Sequence, residues 1–340
     1  MEPWLISIER LKAILEQRSD LRKSLEASIQ EAGFKEVEDL TQFYRLLHKM
    51  LTDIPTQREM GPDLDHFHYI VSCSPGNVLN KDEMFRQWLV TFARDHGSFL
   101  DSIASAKGLD TFINNPDYHI EDYQQEPSGW LTFNQFFARK VKPGKRPVAE
   151  PCNDHIVVSP VDAVYLGCWD IDEHAAVTAK GVKYAIPELL AGSPYRDAFD
   201  GGIFTHCYLD TNDYHRYHMP LGGVIKEARV IPGDVIVEMA KDEDGKLTAK
   251  DEVGFQWRQT RGILVVESVI GLIALLPVGV GHVSSVNFTV DPGTGLAKGE
   301  EFGYFCYGGS DMILLFQKEA IVLTINAGKH YKQGEQIARR

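Results

Sequence analysis

The stretch "PSGWLTFNQFFARKVKPGKRPV", residues 127–148, divides the chain. Before it, apolar residues recur at helical spacing. After it, short β-branched runs alternate with turns. Pro127, Ser128 and Gly129 open a turn, "FNQFF" reads as a short helix, and Pro143, Gly144 and Pro147 punctuate a basic exit.

Working upstream, Trp4, Ile8, Leu11 and Leu15 share one helix face, and Leu21, Leu25 and Ile29 share a second. Leu40, Phe43, Leu47 and Met50 mark a third helix. "NKDEMFRQWLVTFARDHG", residues 80–97, predicts a fourth, with Asn80 and Glu83 spaced as a capping box and Gly97 as a stop. Working downstream, "HIVVSPVDAVYLGCW", "GGIFTHCYL", "GGVIKEARVIPGDVIVEM", "RGILVVESVIGLIALLPVGV", "HVSSVNFTVDPGTG" and "SDMILLFQKEAIVLTI" read as strands. The expected fold class is therefore α+β, with a helical N-terminal domain over 1–125 and a β-rich domain over 130–335.

The chain has 340 residues, 44% hydrophobic and 24% charged, as expected of a globular protein with a sizeable core. Its net charge of −13 disfavours nucleic acid and anionic membrane surfaces. Five cysteines with no CxxC pair point to reduced thiols in a cytosolic protein, not to a disulfide framework or a zinc knuckle. "MEPWLISIERLKAILEQ" has no uninterrupted apolar run, so no signal peptide is expected. Ser268 to Val290 lacks Asp, Glu, Lys and Arg, but Pro277, His282, Ser284, Ser285 and Asn287 interrupt it. Two buried strands fit that segment better than a membrane helix.

The candidate chemistry starts at "LDTNDYHRYHMPLGG", residues 209–223. His215 and His218 lie three apart, between Asp213 and Arg216, on opposite sides of a strand or the same side of a helical turn. With His206 and Cys207 nearby a metal site enters, yet no second ligand pair sits at a standard spacing. Metal ligands, catalysts and satisfied structural histidines are the three alternatives. Asp162 in "SPVDAVYLG" and Ser310 after Gly308-Gly309 add an orienting carboxylate and a nucleophile to that pair. No G-x-S-x-G elbow surrounds Ser310, so an α/β-hydrolase is not indicated.

SPVD, DYHRYHMPLGG and GGS in this order, with "FNQFFARKVKPGKRPV" before them, resemble the phosphatidylserine decarboxylase family over about Leu131 to Thr324. The helical region resembles the extra domain of a subgroup that includes fungal tryptophan decarboxylases. The resemblance implies a proenzyme that cuts its own backbone. Ser310 would attack the Gly309 carbonyl, His218 would take its proton, and Asp162 would orient that histidine. Elimination would leave a pyruvoyl group at position 310, a large chain 1–309 and a small chain 310–340. That group forms a Schiff base with the substrate amine and takes the electrons released as CO2 leaves, the task that pyridoxal phosphate performs elsewhere. His215 matches the family position tied to decarboxylation, and the family often forms dimers.

Around this core the reading is less specific. Arg216 is a candidate for holding a carboxylate or for an ion pair. Arg139, Lys140, Lys142, Lys145 and Arg146 read as a solvated linker face, or as a peripheral contact with lipid phosphate. Asp311 replaces the threonine usual after the family's serine, which puts a carboxylate beside the future pyruvoyl group. A free, tryptophan-like L-amino acid is the expected substrate, with phosphatidylserine the alternative. A different class stays open: an uncleaved metal-binding or non-catalytic β protein.

Overall fold

The computed structural model describes residues 2–53, 60–179, 182–250, 258–281, 285–307 and 309–340. Gly308, His282 and Ser284 lie outside the described residues, as do the side chains of Gly309 and Ser310.

Helices α1 (Ile6–Gln17), α2 (Ser19–Ala32), α3 (Leu40–Thr52), α4 (Met60–Ser72), α5 (Val78–Lys81) and α6 (Glu83–Leu100) form the helical region, followed by α7 (Asp110–Ile113). Their apolar stripes meet in one core that includes Leu11, Leu25, Phe43, Phe67, Phe85 and Phe92. Two boundaries differ from the sequence expectation. The cap of α6 is Asp82, whose carboxylate accepts the Phe85 N–H at 2.9 Å, not Asn80. The helix also runs through Gly97 to Leu100, because Phe99 and Leu100 extend its buried stripe by another turn.

Helix α8 (Phe133–Phe137) starts at Thr132, which caps the Gln135 N–H. The β-rich region opens with β1 (Ile156–Val158), β2 (Ala163–Asp170), β3 (Ala176–Ala179), β4 (Val182–Ala185) and helix α9 (Ile186–Leu189). It continues through β5 (Ile203–Leu209), β6 (Arg216–His218), β7 (Gly223–Ile231), β8 (Met239–Lys241), β9 (Leu247–Ala249), β10 (Thr260–Ser268) and β11 (Gly271–Val280). The last strands are β12 (Asn287–Phe288), β13 (Gly295–Leu296), β14 (Glu301–Tyr304), β15 (Gly309–Phe316), β16 (Val322–Leu323), β17 (His330–Tyr331) and β18 (Gln336–Arg339). An α+β architecture results.

The main sheet has eight antiparallel strands in the order β13-β7-β10-β11-β15-β5-β2-β17. Both its faces are covered. Met312, Leu314 and Phe316 enter one core with Phe133 and Phe137, while Ile313 and Leu315 enter the other with Phe204 and Val265. Two-sided burial explains why "MILLF" shows no polar alternation. The charge-poor segment is strand β11 and its flanks, and among the described residues no helix is long and apolar enough to cross a membrane. The strand expected through "DVIVEM" is not formed over 235–238: Val235 and Ile236 pack instead into the helical core, Asp234 makes an isolated bridge to Gln259, and Met239 begins β8. Smaller sheets flank the main one, including β12-β14-β6, whose strand β6 carries the DYHRYH motif.

Candidate active site

Strand β15 lies between β11 and β5 in the main sheet. Its first residues pair on both sides, Gly309 with Val280, and Ser310 with Gly279 and with Leu209. The next rung runs Val278, Asp311, Tyr208, Val164 and His330 across five strands. The peptide before Ser310 therefore sits at the head of a central strand. Asp162 lies at the same end of the sheet, immediately before β2.

The chain leaves β5 at Leu209, turns through Asp210 to Asp213, and enters β6. The extended backbone of β6 sends His215 and His218 to opposite sides. Between them Tyr217 is fully buried, and its one hydroxyl proton is shared between the carbonyls of Asn287 and Tyr304, 2.9 and 2.8 Å away. Gly303 opposite Tyr217 has no room for a side chain, since a Cβ there would lie 2.2 Å from the Asn287 carbonyl oxygen. This close approach fixes β6 and therefore both histidines.

His215 is buried, its ring centroid 3.8 Å from that of Phe137, which in turn contacts Tyr307. Its Nδ1 has no hydrogen-bond partner among the described residues. Burial, reinforced by the Arg139 charge, holds its pKa well below the ordinary histidine value, so the ring is neutral. His218 has two partners. The Gly299 carbonyl, 2.8 Å from Nδ1, can only accept, so Nδ1 carries the proton. The lone pair of Nε2 then accepts from the Tyr214 hydroxyl at 2.9 Å. Burial lowers the His218 pKa although the Gly299 bond opposes it.

Asp162 does not touch His218. Its carboxylate accepts Nε of Arg146 on both oxygens at 2.9 Å and the Gln333 N–H at 2.7 Å. The Arg146 guanidinium lies 5.9 Å from the Tyr214 ring centroid, which links Asp162 to His218 through Arg146 and Tyr214. The His218 N–H is also tied to the Pro160 carbonyl at 2.9 Å, which joins β6 to the SPVD turn.

Two members of the basic stretch leave the solvated face expected for them. Arg139 is 1% exposed, stacks 4.2 Å from the Tyr123 centroid, and donates to the Asn212 and Asp213 carbonyls at 2.6 and 3.0 Å. Arg146 is bound to Asp162 and Asp122. Both hold the DYHRYH loop, while Lys140, Lys142 and Lys145 stay exposed. Arg216 takes the ion-pair role, bonded to Glu301 and to the Ala138 carbonyl. Tyr214 and Arg146 carry no motif of their own; the signal for them was adjacency, Tyr214 inside DYHRYH and Arg146 before Pro147. Beside this loop opens a cavity of about 440 Å³ lined by Trp130, Arg139, Arg216, Tyr304 and Cys306, the last two on the chain leading to Gly309. Among the described residues no three His, Cys, Asp or Glu side chains gather as a metal set.

The buried neutral histidines carry a pH cost. Burial lowers His68 to about 3 and His96 to about 4, and holds His215 well below the ordinary histidine value. The unfolded chain protonates these rings near about 6.5 while the fold does not. Stability is therefore complete above that pH and falls as pH drops, by roughly 1.4 kcal/mol per pH unit for each group. The urea midpoint is expected to fall between pH 7 and pH 5; an unchanged or rising midpoint would contradict this.

The family model for phosphatidylserine decarboxylase matches residues 133–339, more than half of the chain. The chain belongs to the phosphatidylserine decarboxylase family. The match spans α8, the SPVD turn, the DYHRYH loop and β15, all the elements that build the site. Phosphatidylserine decarboxylase proenzyme 2 of Oryza sativa subsp. japonica is 29% identical over 242 residues, 71% of this chain and 38% of that protein. Proenzyme 3 of Schizosaccharomyces pombe is 32% identical over 222 residues, 65% of this chain and 22% of that protein. The proenzyme of Shewanella loihica is 35% identical over 224 residues, 59% of this chain and 75% of its own length. The chain thus spans well under half of the two eukaryotic relatives but most of the bacterial one.

Proposed function

We propose that this chain is a self-processing, pyruvoyl-dependent decarboxylase that divides between Gly309 and Ser310. The observation that carries the proposal is the position of that peptide at the head of β15, paired on both sides, within a matched family segment. The backbone beyond it is held from both sides, so the new terminus stays in place when the bond opens.

The first step moves one proton and one acyl group. The Ser310 hydroxyl attacks the Gly309 carbonyl carbon as its proton leaves, and the amide becomes an ester. His218 serves as base, because its Nε2 lone pair is available once Tyr214 yields it. Asp162 and Arg146 fix Tyr214 and the SPVD turn around that ring. The ester then eliminates, losing the Cα proton of residue 310 to a base and leaving a Gly309 carboxylate and a dehydroalanine. This tautomerises to an imine, one water adds, ammonia leaves, and the water oxygen becomes the ketone of a pyruvoyl terminus. That group supplies a ketone that takes up a substrate amine and the electrons freed with CO2. The buried Nδ1 of His215, without a described partner, fits a role beside it, and the neutral ring can relay a proton, taking one from water at one nitrogen as it gives one to the carbon that lost CO2 from the other. Phe137 keeps that ring dry.

The substrate is an α-amino acid head. The names of the relatives support phosphatidylserine. The second reading, a free aromatic L-amino acid such as tryptophan, is favoured by the net charge of −13, which repels anionic lipid. CO2 release from tryptophan, tyrosine, phenylalanine, serine and dispersed phosphatidylserine separates the two. Release from the lipid alone removes the second reading. Release from none of the five, by protein that has divided, removes both.

A further inference from the structure

Asp311 follows the cleavage serine directly, yet its carboxylate does not face that site. Strand alternation turns it to the side of Ile313 and Leu315, away from Met312 and Leu314. There its Oδ2 lies 2.8 Å from Nε2 of His206, a diagonal neighbour on β5. The two side chains are only 7% and 1% exposed. A carboxylate accepts, so Nε2 of His206 carries the proton. The carboxylate that the sequence puts beside the future pyruvoyl group is thus tied to His206.

A buried pair of this kind is weak support for stability, because apolar residues of the same volume hold a core as well. Its place suggests a different use. Once the Gly309–Ser310 bond opens, β15 loses its covalent anchor at the amino end. What then fixes position 310 is the strand ladder and the side-chain bond at the very next residue.

We propose that His206 and Asp311 are positioning residues, a clamp that holds the head of β15 so that the carbonyl at position 310 meets the substrate amine in the right orientation. This rests on Gly309–Ser310 being the scissile bond. Neither residue touches the substrate. The clamp acts through the backbone of β15, and a small displacement there is enough to lower turnover.

The test uses the full chain and pairs bond-keeping with bond-breaking substitutions. In His206→Gln the amide nitrogen reaches the place of Nε2, whereas in His206→Asn it reaches only that of Nδ1. Asp311→Asn keeps an acceptor and Asp311→Leu removes it. Intact mass reads division into 1–309 and 310–340. Trapping with phenylhydrazine counts reactive carbonyl, and CO2 release from the substrate found with the panel gives kcat and KM. His206→Gln and Asp311→Asn are expected to stay within about threefold of the unaltered enzyme. His206→Asn and Asp311→Leu are expected to carry the same carbonyl content, with kcat lowered about 10- to 100-fold and KM changed less than about threefold. Failure of the bond-breaking pair to divide, beside a bond-keeping pair that does, also supports the clamp, acting already on the serine.

The clamp is overturned if all four variants turn over alike, whether at the unaltered rate or equally impaired. It is overturned too if the bond-keeping variants fail to fold, or if the bond-breaking ones fail to fold while the others do, since the pair would then be a fold element only. An undivided, inactive unaltered chain marks a different failure, that of the scissile bond itself.

Discussion

Ser310→Ala is expected to yield one undivided chain and no turnover. The hydroxyl is both the attacking group and, once acylated, the leaving group whose elimination lets the carbons of residue 310 become the carbonyl cofactor, and alanine offers neither. Without it the substrate decarboxylates at its uncatalysed rate, a loss of at least about 10⁶-fold. Intact mass and a denaturing gel read the first outcome and CO2 release the second. Fold integrity is checked by the unfolding midpoint. Two fragments from the alanine variant, or turnover by it, would place the chemistry elsewhere, and an undivided but active parent chain would remove the cofactor proposal altogether.

The second expected result separates the two histidines. His218→Ala removes the Nε2 lone pair that Tyr214 now caps, and division should slow by about 10²- to 10⁴-fold, the usual worth of a general base. Extended incubation with mass readings gives the rate. His215→Ala should divide at a near-normal rate, because that ring points to the other side of β6, onto Phe137. Its product should carry the reactive carbonyl yet release CO2 about 10²-fold or more slowly. A His215→Ala enzyme with full turnover, or a His218→Ala chain that divides normally, breaks the division of labour.

Much of this was legible in the chain. Ile8, Leu11 and Leu15 wrote their helix in plain periodicity, with Trp4 in the 3-10 turn just before it, and "MILLF" wrote a strand covered on both faces. DYHRYH, SPVD and GGS named the candidate site, and the fold joins the first two through the Pro160 carbonyl and the His218 N–H. What remained hidden depends on contacts distant in sequence. Arg139 reads as one more charge in a basic run, and only the packing of Tyr118, Tyr123 and Phe136 around it makes it a buried strut. Asp82 outcompeted Asn80 for the helix cap because the helix begins two residues later than the capping-box spacing implied. "DVIVEM" has a strand's composition, but the helical core offered Val235 and Ile236 a better burial than a sheet edge did. Tertiary context overrode propensity in each case.

The weave of the last strands has one more consequence. Residues 310–340 supply β15 in the middle of the main sheet, β17 at its edge, and, in a second sheet, β18 beside β1 with β16 on its other side. A nick before Ser310 would leave that segment threaded through two sheets, bound by ladders on both flanks. It could not exchange with free peptide while the fold stands. Once melted, the two pieces would have to find each other from solution, a bimolecular search that the newly synthesised chain never faces. Maturation would therefore convert a protein that can refold from one strand of polypeptide into one whose lifetime is set by how slowly it opens.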